Sequence, residues 1–142
     1  MKLLHYLFAL GLITSFNACA QKAKPDAANA GLKLPQGFSA IKAADGLGAA
    51  RHIAVASNGD LFVKLERLKD GKGIYLLHDA NKDGYIDQMN GFGNYIGTGI
   101  YLQNGYLYAS SNDDVYRYKL AADTKQLTAT NTEKIILGLI SR

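Results

Sequence analysis

The chain has 142 residues, 48% of them hydrophobic and 20% charged, with 15 Gly, nine Tyr, one Cys and no Trp. That length holds one domain at most, and the composition excludes a collagen, a highly charged disordered chain and an internal disulfide scaffold. The net charge is +4 and no basic run exceeds two residues, so nucleic-acid binding is not expected.

Residues 1–20 read as an export signal. Lys2 gives a positive start, Leu3 to Ile13 is mostly apolar, and small or polar residues follow. The apolar run is shorter than the roughly 20 residues a spanning helix needs. Three outcomes compete. Cys19, the lone cysteine, stands where the apolar run ends, and Phe16-Asn17-Ala18-Cys19 resembles a lipobox, although Phe16 and Asn17 depart from its usual aliphatic and small residues. Ala18-Cys19-Ala20 is also a small-x-small cleavage site, giving a soluble periplasmic product. The third outcome is an apolar helix retained in the fold. The first predicts a bacterial lipoprotein of the periplasm or outer membrane, touching the membrane only through its anchor. Residues 21–36 are rich in Ala, Lys and Pro and read as a flexible tether.

From residue 37 on, short apolar or alternating runs are separated by turn signals. Strands are expected at 38–43, 52–56, 61–65, 74–78, 99–103, 106–110, 115–120 and 134–137. Asn58-Gly59 and Asn104-Gly105 are type I′ hairpin signals, because both central residues of that turn need φ > 0. The two hairpins look alike, and each is followed by a strand with Tyr at its second position, Tyr75 and Tyr116. The unit recurs after about 41–46 residues, the period of β-propeller blades, with an extra insertion at 79–95. The expected fold is all-β, over residues 37–142: the first two blades of a propeller and the start of a third at 134–139, with an ordinary β-meander or sandwich as the competing reading.

Several residues carry candidate chemistry. Asp79, Asn81, Asp83, Tyr85 and Asp87, with Gly84 at the sixth place, match the first nine positions of a calcium loop. The twelfth position is Asn90, so the bidentate Glu is missing, and a solvated turn is the competing reading. Arg51 and His52 open the first inner strand, where His suits a base and Arg a carboxylate clamp; a surface pair at a strand end is the plainer alternative. His78 ends a strand beside the calcium-like loop. Asn112-Asp113-Asp114 reads as a cation site or a polar turn. Tyr75, Tyr101, Tyr106, Tyr108, Tyr116 and Tyr118 read as inter-blade packing before a sugar platform. No HExxH, GxSxG, Walker, GxGxxG or zinc-type Cys/His spacing occurs.

LPQGFSAIKAADGLGAARHIAVASNGDLFV (34–63), GIYLLHDANKDGYID and GIYLQNGYLYASSNDDVYRYKL together resemble the glucose/sorbosone dehydrogenase family, especially its sorbosone dehydrogenase-like secreted members. The resemblance covers roughly residues 34–140. It implies a six-bladed propeller that binds pyrroloquinoline quinone, with calcium. Such a protein oxidises sugars or related alcohols and aldehydes and passes electrons to an acceptor such as a cytochrome. It also implies that the catalytic His and most basic cofactor contacts lie in later blades, beyond Arg142, so this chain is expected to lack a complete active site. A non-enzymatic envelope propeller that binds a ligand or protein, and a non-functional truncation, are the alternatives.

Overall fold

The computed structural model describes residues 29–120 and 132–138. The export signal, Cys19 and the tether up to residue 28 lie outside the described residues. A single 3-10 turn spans Asn29–Gly31, and all other regular structure among the described residues is β.

Eight strands follow in chain order: β1 (Ala50–Val55), β2 (Leu61–Lys69), β3 (Lys72–His78), β4 (Gln88–Phe92), β5 (Ile100–Gln103), β6 (Tyr106–Ser110), β7 (Val115–Lys119) and β8 (Thr132–Ile136). They form two four-stranded antiparallel meanders, β1-β2-β3-β4 and β5-β6-β7-β8. Each is one blade, and the fold is a partial β-propeller, as the repeat in the sequence implied.

Four expectations are corrected. Residues 38–43 form no strand. The stretch read as an insertion contains β4, whose Gln88 to Phe92 pair with His78 to Ile74. The segment read as the start of a third blade is β8, which closes the second sheet by pairing with β7. Ladder hydrogen bonds decide membership, and neither segment's apolar pattern shows which neighbour it pairs with. The first hairpin is also not type I′. Five residues separate β1 from β2, the Gly59 N–H donates to the Ala56 carbonyl at 3.0 Å, and within Asn58-Gly59 only Gly59 has positive φ. The second hairpin keeps the expected turn, with Asn104 at φ 50° and Gly105 at φ 76°.

Alternation along β2 and β3 sends side chains to two cores. Phe62, Ile74, Leu76 and Phe92 face the second sheet and meet Ile100, Leu107, Ala109 and Tyr118. Val63, Leu65, Tyr75 and Leu77 face the other way, beneath Ala44, Leu47 and Ile86. The segment before β1 therefore straps the outer face of the first sheet, held by the Ile86 N–H donating to the Ala43 carbonyl at 2.9 Å.

The linker between the blades, residues 93–99, runs close against β3. The Gly73 N–H donates to the Gly93 carbonyl at 2.6 Å, and a Cβ on Gly73 would lie 1.9 Å from the Tyr95 carbonyl oxygen. Only glycine fits that approach.

Candidate functional site

Strand direction divides the candidate residues between two ends of the blades. The start of β1, the β2–β3 turn, the 93–99 linker and the 111–114 turn share one end. The β1–β2 hairpin, the 79–87 loop and the β5–β6 hairpin share the other. Arg51 and His52 thus lie at the opposite end from His78 and the calcium-like loop.

At the first end, two strand irregularities shape the surface. Ala50 pairs with Leu65 and His52 with Lys64, which leaves Arg51 as the extra residue of a bulge. On β2 the register then jumps between Lys64 and Lys69, so Glu66 and Arg67 leave the regular β2–β3 ladder. All three charged side chains line one cavity of about 450 Å³ with Ile96, Gly97, Thr98 and Asn112. Arg51 Nη1 lies 4.0 Å from Glu66 Oε1, and both side chains are about half exposed. His52 Nδ1 is 3.0 Å from the Thr98 carbonyl. A carbonyl only accepts, so Nδ1 carries the proton and neutral His52 keeps its lone pair on Nε2. The bond also ties the inner strand of one blade to the linker that starts the next. A cavity lined by two arginines, an amide and a hydroxyl suits a small anion bearing carboxylates. Its donor set fits a quinone carrying carboxylates, apart from Glu66, whose charge opposes such a ligand.

At the other end, Asp60 is 2% exposed and its Oδ1 accepts from His78 Nδ1 at 2.5 Å. Asn58 Nδ2 donates to Asp60 Oδ2 at 2.9 Å. This pair staples the first hairpin to the end of β3. In the neighbouring loop, Asp79 accepts from the N–H groups of Asp83 and Gly84 at 3.2 and 2.8 Å. Asn81 Oδ1 accepts from Asp83 N at 2.9 Å, Asp83 Oδ1 from Tyr85 N at 2.8 Å, and Asp87 Oδ2 from Ala80 N at 2.7 Å. These oxygens cap the turns of the loop. Among the described residues no three His, Cys, Asp or Glu side chains converge to hold a metal.

The tyrosines sort into two groups. Tyr116 and Tyr118 pack between the sheets, and Tyr75 is buried with its hydroxyl on the Lys69 carbonyl at 2.9 Å. Tyr101 is exposed, and Tyr106 lies under the Arg117 guanidinium at 4.8 Å. Asp114 bonds Lys134 Nζ at 2.9 Å and accepts from Gly138 N at 3.2 Å, so it fastens β8 to the second blade. The Lys134 ammonium, with help from that N–H, holds the Asp114 carboxyl below the usual range.

Five residues of these two ends did not stand out in the sequence. Lys64 is fully buried, donates to the Tyr95 carbonyl at 2.9 Å and sits 3.9 Å over the Tyr95 ring. Burial lowers its ammonium to about 8. Tyr95 itself, Glu66 and Arg67 were equally silent, and Asp60 was passed over. The β2 alternation, Val63-Lys64-Leu65, reads as polar-out and gives no sign that both faces are covered. Only the Asn-Gly-Asp turn that carries Asp60 had a visible signal.

The TrAA12-like family model matches residues 32–142. No curated protein matches the chain. Two solved structures of the Trichoderma reesei carbohydrate-active enzyme family AA12, one with iodide and one with calcium, are each 24% identical. They cover 67% of this chain, with TM-scores of 0.55 and 0.54. The holo pyrroloquinoline quinone domain of pyranose dehydrogenase from Coprinopsis cinerea is 26% identical over 68% of this chain, with a TM-score of 0.54. The chain spans about a quarter of the length of each, 25%, 24% and 23% respectively. The chain belongs to the TrAA12-like family.

Proposed function

We propose, from that membership, that the chain forms the first two blades of a pyrroloquinoline quinone-dependent dehydrogenase that oxidises a sugar or a related alcohol or aldehyde. Its likeness to the quinone domain of pyranose dehydrogenase supports this. The observation in this chain that carries it is the bulge that turns Arg51 out of the β1 ladder into the cavity shared with Arg67 and Asn112.

Arg51 and Arg67 would hold the carboxylates of the cofactor, since guanidinium forks match carboxylates in geometry and charge. His52, with its proton fixed on Nδ1 by the Thr98 carbonyl, offers Nε2 to accept a proton from a substrate hydroxyl. Ile96 supplies an apolar wall that limits water. When bound, the quinone supplies the two-electron acceptance that no side chain here provides. Further blades would complete the site, and a cytochrome-like acceptor would remove the electrons. Export and anchoring through Cys19 belong to the same proposal, and mass spectrometry of the mature N-terminus tests them: a diacylated Cys19 supports anchoring, an unmodified Gln21 start overturns it.

The test of function has two parts. Pyrroloquinoline quinone titrated into the 142-residue chain is expected to give a saturable absorption change that Arg51→Gln abolishes. Dye reduction by the native gene product is expected to require added quinone. Turnover that does not depend on quinone, or none on any sugar or alcohol with quinone present, overturns the reading.

A further inference from the structure

We propose that Glu66 is a resident anion of the first-end cavity: it occupies Arg51 until a carboxylate-bearing ligand takes its place, and Arg51 with Arg67 forms the receiving subsite. This rests on the reading that the cavity is a ligand site, and adds how access to it is set.

Three observations converge. First, Arg51, Glu66 and Arg67 all stand at irregular positions of β1 and β2, and all line the same cavity. Regular alternation would send Glu66 and Arg67 to opposite faces of the sheet; the bulged stretch of β2 brings both to one opening. The Glu66 N–H donating to the Ala49 carbonyl at 2.9 Å anchors this stretch beside the start of β1. Second, the Arg51–Glu66 contact is long, 4.0 Å, and half exposed. Such a pair contributes little and is displaced at small cost. A ligand carboxylate that meets the guanidinium in bidentate geometry makes shorter, stronger hydrogen bonds. Third, Arg67 has no carboxylate partner among the described residues, so one cation of the cavity is already available. Two arginines against one glutamate leave the cavity positive, and its volume of about 450 Å³ admits a small molecule. Thr98 and Asn112 at the rim offer neutral hydrogen-bonding groups to the same ligand.

The ligand class is therefore a small anion with two or more carboxylates, and Glu66 sets its threshold. A weakly acidic or neutral molecule fails to displace the glutamate. A polycarboxylate does so by engaging both arginines.

The probe is benzene-1,3,5-tricarboxylate, a redox-silent tricarboxylate, titrated into the full 142-residue chain at low ionic strength. The readouts are calorimetry and the ¹⁵N shifts of the arginine Nε groups. Glu66→Gln is expected to bind about two- to fivefold tighter, and Arg67→Gln about tenfold weaker. Lys119→Gln, exposed on the second sheet and also a one-charge change, is expected to bind within about twofold of wild type. Equal or weaker binding by Glu66→Gln overturns the proposal, as does an Arg67→Gln change no larger than that of Lys119→Gln. Each variant is checked for an unaltered thermal transition; a Glu66→Asp chain, which keeps the charge on a shorter stem, must fall between wild type and Glu66→Gln. If Glu66→Gln is no tighter for the tricarboxylate while the quinone still binds, the resident-anion role fails and the quinone reading stands. If the tricarboxylate responds as expected and the quinone does not bind, the reverse holds.

Discussion

The Tyr95 ring stacks on the Tyr116 ring, with centroids 4.3 Å apart and planes 19° from parallel. Tyr95 belongs to the linker and Tyr116 to β7, so the stack fastens the connection between blades onto the second blade. Lys64 of β2 lies over the same Tyr95 ring at 3.9 Å, and Lys134 of β8 lies 5.4 Å over Tyr116. Lys64 and Tyr116 need opposite faces of Tyr95, since one face has no room for both. The Tyr95 hydroxyl meets that of Tyr118 at 2.9 Å. Both faces of this ring are occupied, so it offers no platform to a sugar. Its energetic role is to weld β2, β7 and the linker into one interface.

Lys64 makes stability rise with pH. Its ammonium titrates near 8 in the folded chain, against 10.5 for an ordinary lysine. The folded state binds fewer protons than the unfolded one in that window, so stability is gained as pH climbs through it. Full relief is worth about 3 kcal/mol at most. Above pH 10 the trend reverses: burial pushes the Tyr95 and Tyr118 hydroxyls up, so they ionise first in the unfolded chain. The urea midpoint is expected to rise from pH 7 to about 10 and fall beyond. Lys64→Met is expected to flatten the rising limb; a limb unchanged in that variant assigns the effect to another group.

Gly73→Ala is expected to cost about 3 kcal/mol or more, because the new methyl meets the Tyr95 carbonyl, a backbone atom that cannot swing aside. Gly59→Ala has open space around it and only positive φ to resist, so about 1 kcal/mol is expected. Chemical denaturation of the two variants compares them directly, and equal costs refute the close approach.

Asp60 and His78 are expected to behave as one unit. Removing His78 takes one of its hydrogen-bond partners from the buried Asp60, and removing Asp60 takes the acceptor from the partly buried His78, each at about 1–3 kcal/mol. The double variant Asp60→Ala/His78→Ala is expected to cost well below the summed singles. Additive costs in a double-mutant cycle show that the pair carries no coupling.

Asp79→Ala removes the acceptor of two loop N–H groups and is expected to cost about 1–2 kcal/mol, measured in chelator. Calcium that raises the wild-type melting midpoint but not that of Asp79→Ala shows the loop oxygens exchanging their turn bonds for a metal. No calcium effect on either chain shows turn capping alone.

The strands legible in the sequence were those whose apolar runs ended in turn residues, β1, β2, β3, β5, β6 and β7, together with β8, expected as a strand at 134–137 but placed in a third blade. The outer strands were harder. Gln88–Phe92 holds one buried residue, Phe92, and Thr132–Ile136 none, so neither carries an alternating signature. Edge strands are stabilised by pairing more than by burial, and pairing is a property of two segments. The same reason hides the Arg51 bulge, since an extra residue exists only relative to a partner strand. Arg51 and His52 were legible as a polar pair opening a strand. Arg67, Glu66 and Lys64 were not, because their positions depend on a register shift and on the second sheet.

The contact between Gly73 and the Tyr95 carbonyl also bears on how distant kin can be recognised. A position that admits one residue type cannot drift, whereas the exposed tip of the β5–β6 hairpin can change more freely. A glycine at the second position of the third strand, meeting the backbone of the glycine-rich linker 22 residues further on, should therefore outlast the surrounding identity. In sequences too diverged to align by overall similarity, that pair would mark where one blade ends and the next begins.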